Sequence, residues 1–153
     1  MNASGRYTAA IGACYLAGLA GLLFVGADMA QWYGQIHKPP LSPPAWAFFP
    51  ISLVLWGLMG VALGSIWCST PLWHPYVGCF FVSLAFSAAW TMFFFGFHTI
   101  LIALIAIVSL IVILIALILG AWDMDRRAAY LLLPYLAWTL FALYLNAGIW
   151  YLN

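Results

Sequence analysis

The stretch "TILIALIAIVSLIVILIALILGAW", Thr99 to Trp122, decides the fold. It carries no charge and no proline, and its only hydroxyls are those of Thr99 and Ser109. About 20 such residues span the hydrocarbon core of a bilayer as an α-helix. Backbone groups in lipid must be satisfied within the segment or in a closed barrel, and "IALIAIVSLIVILIALIL" does not alternate as a barrel strand would. It reads as a membrane helix.

Working outward, the same test picks out four more runs. With the first they give helices over about 7–27, 45–67, 77–97, 99–122 and 128–152, and one long connection over 28–44. The expected fold is all-α, a bundle of five transmembrane helices forming a single domain over 1–153. "GFHT" is too short to be more than a turn, so the third and fourth helices must be antiparallel neighbours. The first run exceeds the 7–15 apolar residues of a signal peptide, and no A-x-A site follows it, so it reads as a retained span.

Composition agrees. The chain is 68% hydrophobic and 5% charged, with mean hydropathy +1.12, against roughly 25% charged in soluble domains. A net charge of +1 gives no basic field for nucleic acid. Arg6, Arg126 and Arg127 fall on one side of the five spans and Lys38 on the other. The N-terminus is therefore expected in the cytoplasm, with the 28–44 loop and the C-terminus opposite.

Chemistry-bearing constellations are sparse. The acids sit at helix ends, where Asp123 or Asp125 is expected to cap the last helix. His37, His74 and His98 are too scattered to predict a metal cluster. Cys14, Cys68 and Cys79 lack C-x-x-C spacing and read as buried small residues. With no ionisable residue mid-membrane, a channel or pump is not expected. No catalytic residue emerges.

Small residues mark packing faces: Ala13, Ala17 and Gly21, then Gly60 and Gly64, then Ser83, Ser87, Ala85 and Ala89. Such spacing lets helices approach closely, within one chain or between two copies of a homodimer. Aromatics make up 18% of the chain. Trp67, Trp73, Trp122 and Trp150 fit the boundary belts. Deeper, Tyr135, Trp138, Ala142 and Asn146 share one helix face, and Ser83, Ser87, Trp90 and Phe94 share another. Both faces mix flat rings with polar atoms, so they are expected to look inward on a flat, largely apolar ligand. Pro134 is expected to bend the last helix and widen the bundle there.

The 28–44 connection contains "WYGQIHKPPLSPP", an aromatic and proline-rich sequence. Together with "LWGLMG", "LAFSAAWTMFFFG" and "LLLPYLAWTLFALYLN" it resembles the translocator protein / tryptophan-rich sensory protein (TspO/MBR) family over essentially the whole chain. The resemblance implies a five-helix bundle, often a homodimer, that binds porphyrins such as protoporphyrin IX or haem beneath this loop; some members bind sterols. It implies ligand contacts from Trp32, Tyr33, Lys38, Pro39, Pro43, Pro44 and Trp46, and from Ser52 and Trp56. Ser87, Trp90, Phe94 and Phe95 follow on the third helix, and Tyr135, Trp138, Ala142, Leu145 and Asn146 on the last. The ring is expected near Trp56 and Trp138, with a propionate at Lys38 or His37 and the loop as a lid.

Four positions depart from the family pattern: Leu41, Ser52 and Ser87 replace Trp, Trp and Asn, and Trp56 replaces Tyr or Phe. Photo-oxidative degradation of porphyrin, suggested for some members, uses two pocket tryptophans, one of which is Ser52 here. No basic residue follows Tyr144, so the sterol motif is absent and a sterol is the lesser expectation. The expected role is tetrapyrrole transport, scavenging or sensing. A degrading enzyme and a structural membrane protein without a small ligand are the alternatives.

Overall fold

A computed structural model describes residues 2–71 and 74–153; Trp73, expected in the boundary belt, lies outside the described residues. Among them the chain is all helical, with six α-helices: α1 (Ala3–Leu22), α2 (Met29–Gln35), α3 (Phe48–Ser69), α4 (Pro75–Thr91), α5 (Ile100–Met124) and α6 (Arg126–Leu152). A 3₁₀ turn, Ala45–Ala47, leads into α3, and a π turn, Met92–Gly96, continues α4.

Two features differ from the sequence expectation. Four stretches, Ala45–Ser69, Pro75–Gly96, Ile100–Met124 and Arg126–Leu152, are long and apolar enough to cross a membrane. The fifth expected span, α1, is long enough but falls short in apolarity. It carries Arg6 and is built from Gly and Ala, which serve close packing more than contact with lipid. The 28–44 connection also contains a helix, α2, which ends where the chain straightens at Ile36 ahead of Pro39.

The five longer helices close into a ring. α1 packs on α3 and α4, α6 packs on α3 and α5, and α4 packs on α5. The centre is filled by Met59, Leu63, Phe80, Leu114 and Leu132, all fully buried. Three of the small residues, Gly21, Gly60 and Gly64, are used within the chain. A Cβ on Gly60 would stand 2.5 Å from the Ile11 Cα, and one on Gly64 3.0 Å from the Tyr7 Cα. At Gly21 the neighbour is the Ala88 Cα at 3.1 Å. These glycines bring α1 against α3 and α4. Cys14 is buried, but Cys68 and Cys79 are exposed, because they lie on helix faces that the ring leaves uncovered.

Helix ends near the N-terminus are tied by polar groups. Asn2 Oδ1 accepts from the Gly5 amide at 2.9 Å, and Arg6 Nη1 donates to the Trp67 carbonyl at 2.6 Å. Asp125 caps α6, accepting from the Arg127 amide at 2.9 Å. Its second carboxylate oxygen accepts from the Ser65 hydroxyl. The Ser65 bond first, and the amide bonds after it, hold the Asp125 carboxyl below its ordinary value.

Candidate functional site

At the other end of the ring the packing changes from small residues to rings. The π turn begins it: the Phe97 amide donates five residues back, to the Met92 carbonyl at 2.9 Å. The wider turn brings Phe94 and Phe95, adjacent in sequence, both into the interior. Phe48, at the start of α3, meets Tyr33, Phe95 and Trp138 edge-on, with centroids 5.6, 5.2 and 5.7 Å away. Trp90 stacks on Phe94 at 5.4 Å, and Trp32 of α2 stacks on His98 at 4.1 Å.

Rings packed edge to face leave gaps between them, and two chambers form here. The outer one has a volume of about 300 Å³, at the lower end of small-molecule pockets. Leu22 at the end of α1 and Val25 just beyond it wall one side, and Met29 and Ala30 wall it from α2. Trp46, Phe49, Ser52 and Trp56 face it from the α3 side, and Trp90, Thr91 and Phe95 from α4 and the π turn. Trp46 is 74% exposed and stands at the mouth.

The inner chamber, about 30 Å³, is lined by Ser87, Tyr135, Trp138, Thr139 and Ala142, with Ile107 and Leu110 of α5. Ser52, Trp56, Trp90 and Thr91 line both chambers. The Tyr135 hydroxyl donates to Ser87 Oγ at 2.6 Å. Among the described residues, no charged side chain lines either chamber, and no group of three His, Cys, Asp or Glu could hold a metal ion.

The structure thus brings Trp46, Ser52, Trp56, Ser87, Trp90, Phe95, Tyr135, Trp138 and Ala142 to the chambers. Asn146 does not reach them. Fully buried, it accepts from the Trp90 indole at 3.2 Å and donates to the Ile100 carbonyl at 2.9 Å. Phe94 and Leu145 pack with Tyr33 under α2.

The loop residues do other work. Lys38 Nζ donates to the Tyr33 carbonyl and lies 4.9 Å over the Tyr33 ring, closing the end of α2. His37 is paired through its backbone with Asn153: its amide donates to Asn153 Oδ1 at 3.1 Å, and its carbonyl accepts from Asn153 Nδ2 at 2.9 Å. Pro39 is buried against Gly148, where a Cβ would stand 2.6 Å from the proline ring. The Tyr144 hydroxyl donates to the Pro40 carbonyl at 3.0 Å. Trp32, Pro43 and Pro44 also lie off the chamber walls.

Met29 and Ala30 carry no sequence signal, because the seven residues of α2 are too few for helical periodicity to mark a face. Phe49 was legible, falling on the face of Ser52 and Trp56 at helical spacing. Leu22, Val25, Thr91 and Thr139 carry no signal that separates them from ordinary membrane-helix residues.

The family model of the TspO/MBR family matches residues 10–152. The tryptophan-rich protein TspO of Archaeoglobus fulgidus is 34% identical over 97% of this chain and 97% of its own. The protein of the same name from Chlorobaculum tepidum is 33% identical over 94% of this chain and 92% of its own. The translocator protein of Bos taurus is 32% identical over 88% of this chain and 82% of its own. With four stretches able to span a bilayer and a match running nearly end to end, the chain is an integral membrane protein of the TspO/MBR family.

Proposed function

We propose that this protein binds tetrapyrroles of the protoporphyrin IX or haem type, for their transport, scavenging or sensing, with all five long helices crossing the bilayer. The observation that carries the reading is the outer chamber: open at Trp46, walled by aromatic and aliphatic side chains, and free of charge among the described residues. Such walls suit a flat apolar ring system. A tetrapyrrole is larger than the chamber, so part of the macrocycle stays at the mouth. Its propionates stay there too, since a carboxylate buried without a partner is strongly disfavoured. Lys38 is engaged at the end of α2, so the anionic edge faces water and lipid headgroups.

The test is titration of purified protein with protoporphyrin IX, read by quenching of the nine tryptophans. Saturable quenching that weakens in Trp90→Phe is expected. Non-saturable quenching, or identical curves for the two proteins, sinks the reading. Trp56 and Trp138 both face the inner chamber, which favours photo-oxidative degradation as a second reading. Bleaching of the bound porphyrin under illumination no faster than that of the free pigment would dismiss it.

A further inference from the structure

Four side chains stand between the outer and inner chambers: Ser52, Trp56, Trp90 and Thr91. Three of them are held in place. Trp56 lies edge-on to Tyr15, with centroids 6.2 Å apart, and fills the space above Gly18. Trp90 is stacked on Phe94 and tied to Asn146. Thr91 donates its hydroxyl to the Ser87 carbonyl at 3.2 Å. Ser52 is the smallest of the four, so the boundary between the chambers carries least side-chain bulk at its position.

Beyond Ser52 the chemistry is polar but uncharged. Ser87, in the same lining, accepts from Tyr135 and so keeps its own proton to donate. About 30 Å³ is enough for one water-sized group. An ionised group would be buried there without a counter-charge.

We propose that Ser52 is a specificity-determining passage. Through it, a ligand whose flat apolar body occupies the outer chamber places one uncharged acceptor, a carbonyl oxygen, in the inner chamber. This deepens the proposed function and rests on its reading of the cavity as a ligand site. A large side chain at position 52 would close the passage and restrict the protein to ligands held in the outer chamber alone.

The experiment compares pyrene with 1-pyrenecarboxaldehyde, the same flat body without and with one carbonyl, on detergent-solubilised protein against protein-free micelles. Wild type is expected to prefer the aldehyde by about tenfold, the size of one hydrogen bond. The preference should fall to near one in Ser52→Leu, which plugs the passage, and in Ala142→Leu, which fills the inner chamber from α6. A cooperative thermal transition shows that each variant is folded, and either one suffices if the other fails to fold. No preference in wild type, or an undiminished preference in a folded variant, overturns the inference.

A protoporphyrin IX titration on the same samples separates the two readings. Porphyrin binding without aldehyde preference removes only the passage. Aldehyde preference without porphyrin binding removes the tetrapyrrole and leaves the passage. Failure of both probes removes both.

Discussion

The two ends of this ring are held together in different ways. Where α1 meets the second half of α3, glycines set the distance, and Gly60 and Gly64 admit the Ile11 and Tyr7 backbone almost to contact. Where α2 covers the ring, flat side chains meet edge to face at 5 to 6 Å centroid spacing and leave the two chambers. Backbones in contact leave no space, whereas rings tiling a surface do. The glycine end gives rigidity and the aromatic end gives capacity.

The largest expected effect breaks the glycine end. Gly60→Leu forces a side chain against the Ile11 backbone, which cannot yield as a flexible side chain would. Overpacking costs about 1–3 kcal/mol and more where backbone must move. The variant is expected to lose its cooperative thermal transition in detergent, while Trp46→Ala at the exposed mouth keeps it. A folded Gly60→Leu at the wild-type midpoint would show that the close approach is unimportant.

Next is the tie between the ends of α4 and α6. Asn146→Leu leaves the Trp90 indole unpaired inside the ring and takes a second donor from the Ile100 carbonyl, which keeps its bond within α5. Each unpaired buried group costs about 1–3 kcal/mol. In the Trp90→Phe background, which has no indole to orphan, the same change should cost less. Equal losses in the two backgrounds would mean that the pair is not coupled.

A smaller effect concerns the cover. Asn153→Ala removes both bonds to His37 but leaves Pro39 seated against Gly148. Both bonds are exposed, so global stability should fall by no more than about 1 kcal/mol. Faster amide exchange should be confined to the 28–44 segment. Unchanged exchange there would dismiss Asn153 as a fastening.

The smallest effect is electrostatic and lies away from the chambers. Asp125 is held below its ordinary value by Ser65 and the α6 amides. Its contribution is complete above the unfolded carboxylate value, about 3.9, and is lost as pH falls through the lower folded value. Between about pH 6 and about pH 3, wild type should lose more stability than Asp125→Asn. Parallel losses would show that the cap does not titrate with folding.

Much of this was legible in the sequence. The apolar runs gave the four spanning stretches, and helical spacing put Tyr135, Trp138 and Ala142 on an inward face that now lines the inner chamber. What eluded sequence reasoning has physical causes. α2 was hidden because seven helical residues between an aspartate and a proline-rich run are too few for periodicity to register. The loop's Lys38, His37 and Pro39 look like ligand groups in sequence. In the structure the Lys38 ammonium turns to the Tyr33 carbonyl, the His37 backbone pairs with the Asn153 side chain, and Pro39 sits in the Gly148 notch, partners remote in sequence or set by a local turn. Asn146 shares a face with chamber-lining residues yet spends both ends of its amide on the chain itself. One helix face cannot say how deep each of its residues sits.

The central claim is that the outer chamber, not the surface of the α2 segment, receives the tetrapyrrole. It is tested most directly by filling that chamber and leaving the loop intact, with Ala30→Phe and Leu22→Trp titrated against protoporphyrin IX beside wild type. Saturable tryptophan quenching in wild type and its loss in both filled variants, at unchanged thermal midpoints, is the predicted result. Quenching that saturates equally in all three would contradict the account.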